Sequence, residues 1–518
     1  MTGREEPMPD QRGVAGAGLL LAAVLALCRI ASLGKELLVA GQFGAGEAID
    51  AYALALLVPA LALAFYANSV RRAFLVEYPR QVAAGEGTTF TNRYLCQVLA
   101  VSTVLAVITR IGLPWLWPQL VTADRLSSLN RHLDTLNAPI AGLIVPVATV
   151  SALTAVLNAR KSFAKPQWTH ILPTLSIVFA VLARGTGDGP QLLAWSLLLG
   201  TVIQAIVLTI LVHRTGHTFS SPRGSLFRES GRFAAVVLPF LLLDALGQAN
   251  VLVDRAMAGG LDQGRLSVLY WSALGKDFLS GTLVASMLWV LLPHFADQVG
   301  REDLQGLRKS CSRLVRFAAV LLLPLSSLVL IAGHTLLPSL SLGALEHDDF
   351  QRMGLTLGGY AWGLFPELAG LAMVQAILVL GRWKQVAMVG LFGLFLPNLV
   401  LNLLLIDPLQ EVGLALSTAL TAWLLLLIAS WSVHRSFGFE DGPGMLKSIG
   451  RSCGFSLLSG IAGWAVIMRL GTGVTTGVVA LATTLVVYLF LCLGRPGHAD
   501  ARHVFQRLTR LGKREPSD

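Results

Sequence analysis

The chain has 518 residues, of which 54% are apolar and 14% charged, with a mean hydropathy of +0.66 and a formal net charge of +10. No soluble domain of this size has that balance, and recurrent apolar stretches of 18 or more residues predict transmembrane helices. The positive charge does not point to nucleic acid, because Lys and Arg lie in short connections between the stretches rather than on one basic face.

The first stretch, near residues 14–42, has an apolar run too long for a secretory signal and lacks an Ala-x-Ala-type cleavage site. Another span follows almost at once, so the segment is expected to be retained. It carries Arg29, Lys35 and Glu36 within Leu-, Ala- and Val-rich sequence. An ionisable side chain near the bilayer centre costs about 2.5–3.5 kcal/mol and normally faces water or a partner. Arg29 and Glu36, two turns apart, share a helical face with Ser32, while Lys35 points elsewhere unless Gly34 breaks the turn. Two readings are open here: an ion pair that holds helices together, or a hydrated cavity that holds an anion.

Further spans are predicted near 47–75, 93–118, 134–158, 166–184, 189–213, 231–258, 265–295, 314–337, 353–381, 385–406, 411–434, 448–469 and 472–494, fourteen in all. Pro59, Pro146, Pro173, Pro239, Pro324, Pro366 and Pro397 fall inside them, which a packed membrane bundle tolerates. With the N-terminus inside, the inner segments hold 29 Lys and Arg, the outer segments eight, Arg125 and Arg265 among them, and the spans three. That bias places both termini in the cytoplasm. The connections leave no room for an appended soluble domain.

Ala73–Val82 resembles Val290–Val299 at an offset of 217 residues, which pairs span 2 with span 8 as two six-helix halves would. Repeated halves with a site at their interface are the usual architecture of secondary transporters. Span 7 carries Asp244, Gln248, Asn250 and Asp254. Span 8 carries Lys276 and Asp277, and span 10 carries Glu367 and Gln375. Taken singly, each charge reads as a neutralised pair, such as Lys276 with Asp277 or Asp254. Together they favour a polar cavity. Its cations, Arg29, Lys35 and Lys276, suit a diphosphate, since Arg binds phosphate oxygens bidentately and Lys acts as a point charge. The acids, Asp244, Asp254, Asp277 and Glu367 among them, are candidates to hold those cations or a coupling proton or sodium ion.

Cys28, Cys96, Cys311, Cys453 and Cys492 are scattered singly, without metal-ligand spacing, and read as small buried hydrophobes. Glu346-His347-Asp348-Asp349 is the one group suited to acid–base chemistry on an outer connection, and it reads as a solvated loop. No Gly-rich phosphate loop with its Lys appears, so nucleotide hydrolysis is not expected as the energy source.

The run Arg29…Gly34-Lys35-Glu36…Phe43-Gly44-Ala45-Gly46…Asp50-Ala51-Tyr52…Pro59 resembles the first two helices of the MurJ/MviN family of lipid II flippases. That family belongs to the multidrug/oligosaccharidyl-lipid/polysaccharide exporter superfamily. The similarity continues through Ala155–Asn158 with Phe163 and Pro166, through Ser280-Gly281 and Leu292-Pro293, and through Gly413–Ser417, and so covers nearly the whole chain. It implies an all-α integral membrane protein with two pseudo-symmetric six-helix lobes in a V shape and two extra C-terminal helices forming a lipid-facing groove. The corresponding divisions are 1–213, 214–434, 435–494 and a basic cytoplasmic tail, 495–518. The family moves undecaprenyl-diphosphate-linked saccharides from the inner to the outer leaflet by alternating access.

Residue by residue, the family's helix 1 cavity arginine matches Arg29, its Arg-Asp pair becomes Lys35-Glu36, and the acid opening helix 2 matches Asp50. The arginine after the helix 2 proline is absent from Pro59–Ala64, and Arg71 and Arg72 lie two to three turns further on, at the inner mouth. The helix 8 arginine falls near Leu274, with Lys276 two residues later. These departures keep the fold and leave two substrates open, lipid II or an exopolysaccharide repeat unit. The expected partners are a polyprenyl-diphosphate-linked glycan, membrane lipids and glycan-synthesis machinery. The expected location is the bacterial inner membrane, with no cofactor beyond a coupling ion or the membrane potential. An ion-coupled small-molecule antiporter of the same superfamily predicts a net acidic cavity instead, and a non-transporting scaffold of a polysaccharide-synthesis complex predicts none.

Overall fold

A computed structural model describes residues 11–62, 69–121, 123–160, 162, 164–187, 189–221, 237, 241, 248–339 and 344–494. Among these, regular structure is helical throughout, and the chain forms two units, Met1–Gln248 and Ala249–Asp518. Nine stretches of the described residues are long and apolar enough to cross a membrane, making this a multi-pass membrane protein.

The first unit contains α1 (Gln11–Phe43), α2 (Glu47–Ala55), α3 (Leu57–Ala62), α4 (Ser69–Ala83), α5 (Gly87–Leu120), α6 (Ala123–Ala159), α7 (Ala164–Trp168), α8 (Ile171–Arg184) and α9 (Pro190–Arg214). Its centre is α6, whose apolar stretch is 78% buried against 17% for α5. Helices α2 to α5, α7 and α9 pack against α6, with Val70 and Phe74 of α4, Tyr94 of α5 and Leu208 of α9 closing one cluster. Phe74 stacks on both Phe90 and Tyr94 there. At the turn between α8 and α9, Gly185 and Gly189 both adopt positive φ, and Pro190 opens α9 at a position where its missing N–H costs nothing. The two helices then cross at Gly200, where a Cβ would lie 2.6 Å from Pro173 Cα.

The second unit contains a helix over 248–259 (α10), then α11 (Arg265–Gly300), α12 (Leu304–Thr335), α13 (His347–Ala361), α14 (Leu364–Val379), α15 (Trp383–Gly390), α16 (Leu396–Ser436), α17 (Gly442–Leu470) and α18 (Val474–Gly494). The predicted span over 353–381 is two helices, α13 and α14, interrupted at Trp362 and Gly363. Glu346–Asp349 is solvated but opens α13 rather than forming a loop: the Asp349 carboxylate accepts from the Glu346 N–H in a capping box. A short acidic run suits that position because four N–H groups open every helix.

Residues 383–436 form one apolar stretch, far longer than the roughly 20 residues a span needs. The chain doubles back within it. Gln410 adopts φ 53, ψ −127, and the backbone at Gly413 lies against the Leu405 carbonyl. Across the corner Ser417 donates to Asn402, and the two arms match the predicted spans over 385–406 and 411–434. A side chain at Gly413 would collide with the first arm, so the turn requires glycine there.

α17 and α18 pack on α12. Tyr488 donates to the Val320 carbonyl at 2.7 Å, and Gly463 lets α17 approach Thr484 of α18. At one end of α17, Asp441 caps the Gly444 N–H at 2.9 Å and accepts from Arg316 of α12 at 2.7 Å. Those two donors hold the Asp441 carboxyl below its ordinary value, the Gly444 amide contributing most.

Candidate functional site

In the first unit the charged segment of α1 is continuous helix. Lys35 and Glu36 form an ion pair with each other, their side chains 15% and 12% exposed. Neighbours on a helix point about 100° apart, so only their length lets the two heads meet. Gly34 does not break the turn, and nothing lies within 4 Å of where its Cβ would be. Arg29 is half-buried on the same helix, one residue from Cys28, which contacts the Gln167 carbonyl.

Asp50 behaves differently from the cavity-lining acid that the family pattern implies. It is fully buried, and Arg125 Nη2 donates to its Oδ2 at 2.8 Å. A carboxylate with no exposed surface needs such a partner, because an unpaired buried charge costs several kcal/mol. Arg125 opens α6 and Asp50 sits in the first turns of α2, so the pair ties two helix starts together. Arg71 is half-buried on α4, whereas the Arg72 side chain and Asp244 lie outside the described residues.

The connection after α9 holds a second polar cluster that the sequence reading passed over. Arg160 donates to Thr215 and to Nδ1 of the buried His217, and the His217 Nε2 lies 2.9 Å from Asn92 Oδ1. Since Arg can only donate, Nδ1 accepts and Nε2 carries the proton. Burial pushes the His217 pKa down, and Arg160 and His213 add to that shift.

In the second unit the charges pair between helices. Lys276 Nζ of α11 lies 3.5 Å from Glu367 Oε1 of α14 and 3.6 Å from Oδ1 of its neighbour Asp277. Ser280, one turn further along α11, donates to the same Glu367 oxygen at 3.0 Å. Lys276 and Glu367 keep 20% and 24% of their side chains exposed and Asp277 keeps 68%, so the group is not wholly enclosed by protein. A Glu367–Lys276–Asp277 cluster thus replaces the simple Lys276–Asp277 pair.

Asp254 of α10 joins a neutral set. Asn402 Nδ2 donates to its Oδ1 at 2.6 Å and Thr418 Oγ1 to its Oδ2 at 3.3 Å, while Asn402 also bonds Asn398 and Ser417. These residues come from both arms of α16. Asn250, one turn earlier on the same stripe of α10, donates to the Leu394 carbonyl. At the corner of α16, the buried Glu411 takes 2.9 and 3.0 Å contacts from Arg265 Nη1 at the start of α11. The sequence reading assigned Arg265 and Arg125 to outer connections and overlooked Glu411. Asn398 and Asn402, four residues apart in an apolar span, were a signal available in the sequence.

Between α12 and α17 lies an apolar cavity of about 250 Å³, lined by Leu323, Leu330, Ile331, Leu457, Ile461 and Trp464 among others.

Comparison with known proteins follows the same lines. The family model described as "Lipid II flippase MurJ" matches residues 39–486. The lipid II flippase MurJ of Burkholderia cenocepacia is 23% identical over 499 residues, covering 90% of this chain and 94% of that protein. The probable lipid II flippase MurJ of Treponema pallidum is 23% identical over 449 residues, covering 82% and 84%. A solved lipid II flippase MurJ in an inward closed conformation superposes with a TM-score of 0.75 at 17% identity, covering 95% of this chain and all of that one. An inward-facing multidrug-resistance transporter of the MATE family superposes at 0.66 over 80% of this chain, with 13% identity, which shows shared fold alone. With its helical membrane units, its charged α1 and a family match running from the end of that helix into the last one, the chain belongs to the lipid II flippase MurJ family.

Proposed function

We propose that this protein is a transporter that moves lipid II, an undecaprenyl-diphosphate-linked saccharide, from the inner to the outer leaflet by alternating access. The observation that carries the reading in this chain is Lys276: an ammonium on a membrane helix, one-fifth of its side chain exposed and backed by acids on two helices. A diphosphate is the head-group element such a cation recognises. Lys35 and Arg29 on α1 supply further positive charge, with Glu36 as counter-ion. An exopolysaccharide repeat unit is not needed to account for any of these residues. Drug export would call for a net acidic site, which the cations of α1 and α11 oppose.

On this reading the chain makes fourteen spans: six to each pseudo-symmetric lobe, residues 1–213 and 214–434, then two more within 435–494, with both termini in the cytoplasm. The apolar cavity beside α17 suits a stretch of the polyprenyl tail. Asp254, whose hydrogen bonds come from the neutral Asn402 and Thr418, is the carboxylate best suited to a coupling ion. Arg71 stands towards the inner mouth.

The test is rescue of a bacterium depleted of its own lipid II flippase. The wild-type chain should restore growth and Lys276→Ala should not, at equal membrane abundance. Failure of the wild-type chain with proper insertion would overturn the substrate assignment.

A further inference from the structure

Lys276 carries the diphosphate reading, yet in this structure its ammonium is already occupied. Glu367 Oε1 lies 3.5 Å away, and Ser280 holds that same oxygen at 3.0 Å, so the carboxylate is fixed at the cation by a second bond from α11 itself. Asp277, by contrast, is mostly exposed and sits beside Lys276 in sequence, so water screens it and it moves with the helix. A diphosphate arriving at Lys276 meets like charge from Glu367, only 24% exposed and anchored on a different helix.

We infer that Glu367 is a displaceable counter-ion: the substrate diphosphate takes its place on Lys276, and the released carboxylate keeps its bond from Ser280. The inference rests on the reading of Lys276 as a head-group contact and names the residue that sets the strength of that contact. Its chemistry is an exchange of anions. Before binding, one ammonium neutralises Glu367. Afterwards the ammonium faces the diphosphate, and the carboxylate is left with the Ser280 hydroxyl. Ser280 donates to the carboxylate in both states. The other groups facing this cluster are Asp254 and Arg255 from α10 and Tyr360 from α13; Asp254 is held by Asn402 and Thr418 and Arg255 lies over the Tyr270 ring, so Glu367 is the acid that shares a bond with the cation. Glu367 is therefore a positioning residue.

The experiment measures binding of undecaprenyl diphosphate to the full-length protein in nanodiscs, for wild type, Glu367→Gln, Glu367→Asp and Lys276→Gln. Taking the ratio of variant to wild-type affinity at each pH cancels titration of the ligand itself. Glu367→Gln should bind about fivefold more tightly at alkaline pH, with the ratio falling to one as the pH drops. Glu367→Asp should keep the wild-type profile, and Lys276→Gln should bind weakly at every pH. A ratio of one throughout, or weaker binding by Glu367→Gln, overturns the exchange while leaving Lys276 as a contact. Wild-type affinity in Lys276→Gln overturns the head-group reading instead. Should Glu367→Gln fail to insert, Ser280→Ala replaces it, with a smaller gain of the same pH dependence expected and its absence contradicting the inference.

Discussion

The two units handle intramembrane charge in different ways. In the first, Lys35 and Glu36 neutralise each other along one helix, α1. In the second, Lys276 reaches from α11 to Glu367 on α14, and Asp254 of α10 is held by both arms of α16. A pair within one helix survives any rigid movement of that helix, whereas a pair between helices has to break if the helices part. Of these partly exposed charges, Lys276 and Glu367 are therefore the ones whose pairing depends on how two helices pack, and α1 offers charge without that dependence. What the units share is a buried carboxylate clamped by an arginine at the start of a helix, Asp50–Arg125 in one and Glu411–Arg265 in the other.

That shared feature gives the largest expected effect. Arg125→Ala or Arg265→Ala leaves a buried, unpaired carboxylate and should cost about 3–5 kcal/mol. Thermal unfolding in detergent should show both variants far below wild type, while the paired replacement Arg265→Met with Glu411→Leu recovers most of the loss. Equal tolerance of the single and paired changes would show that neither clamp bears on stability.

Next comes the crossing of α12 and α13, where the backbones of Gly333 and Gly354 touch and no Cβ fits. Gly354→Ala should lower stability by about 1–3 kcal/mol through overpacking. An unchanged melting curve would mean that the helices separate there at little cost. The corner at Gln410 predicts the opposite sign. Its φ of 53 is strained for any residue with a Cβ, so Gln410→Gly should stabilise the second unit by about 1 kcal/mol. Destabilisation by that change would place the corner's constraint in the Gln410 side chain.

The smallest effects are pH-dependent and lie outside the spans. The folded pKa of His217 is depressed, so the unfolded chain binds the proton more readily. Stability from this cluster is then full above the ordinary histidine value of about 6.5 and declines as the pH falls below it. Asp441 is also depressed, and its contribution is lost only at lower pH, as acidification passes its unfolded value near 3.9 towards the folded one. His217→Gln should flatten the first decline in a melting series, and Asp441→Asn the second.

Much of this was legible before the structure. The apolar stretches announce the helices, and Lys276, Asp277, Glu367 and Asp254 stand out because charge is expensive in lipid. Pairing was not legible. Arg125 and Arg265 each sit at the start of a helix and read as ordinary connection residues, because which buried acid they meet depends on helices far away in sequence. Asp50 was singled out by family pattern alone, which gives a position without its partner. The interruption between α13 and α14 did have a local signal, Gly363 followed by Pro366, whose ring cannot donate to the Trp362 carbonyl four residues earlier and clashes with it. Asn398 and Asn402 are uncharged, so a search for charges overlooked the groups that hold Asp254.

The most direct measurement is flipping of fluorescently labelled lipid II in proteoliposomes, scored by its accessibility to an external quencher. Wild-type protein should expose the inner-leaflet pool, and Lys276→Ala should slow exposure about tenfold or more with the protein still folded. Wild-type rates in Lys276→Ala would contradict the account, because no diphosphate contact would then run through that cation.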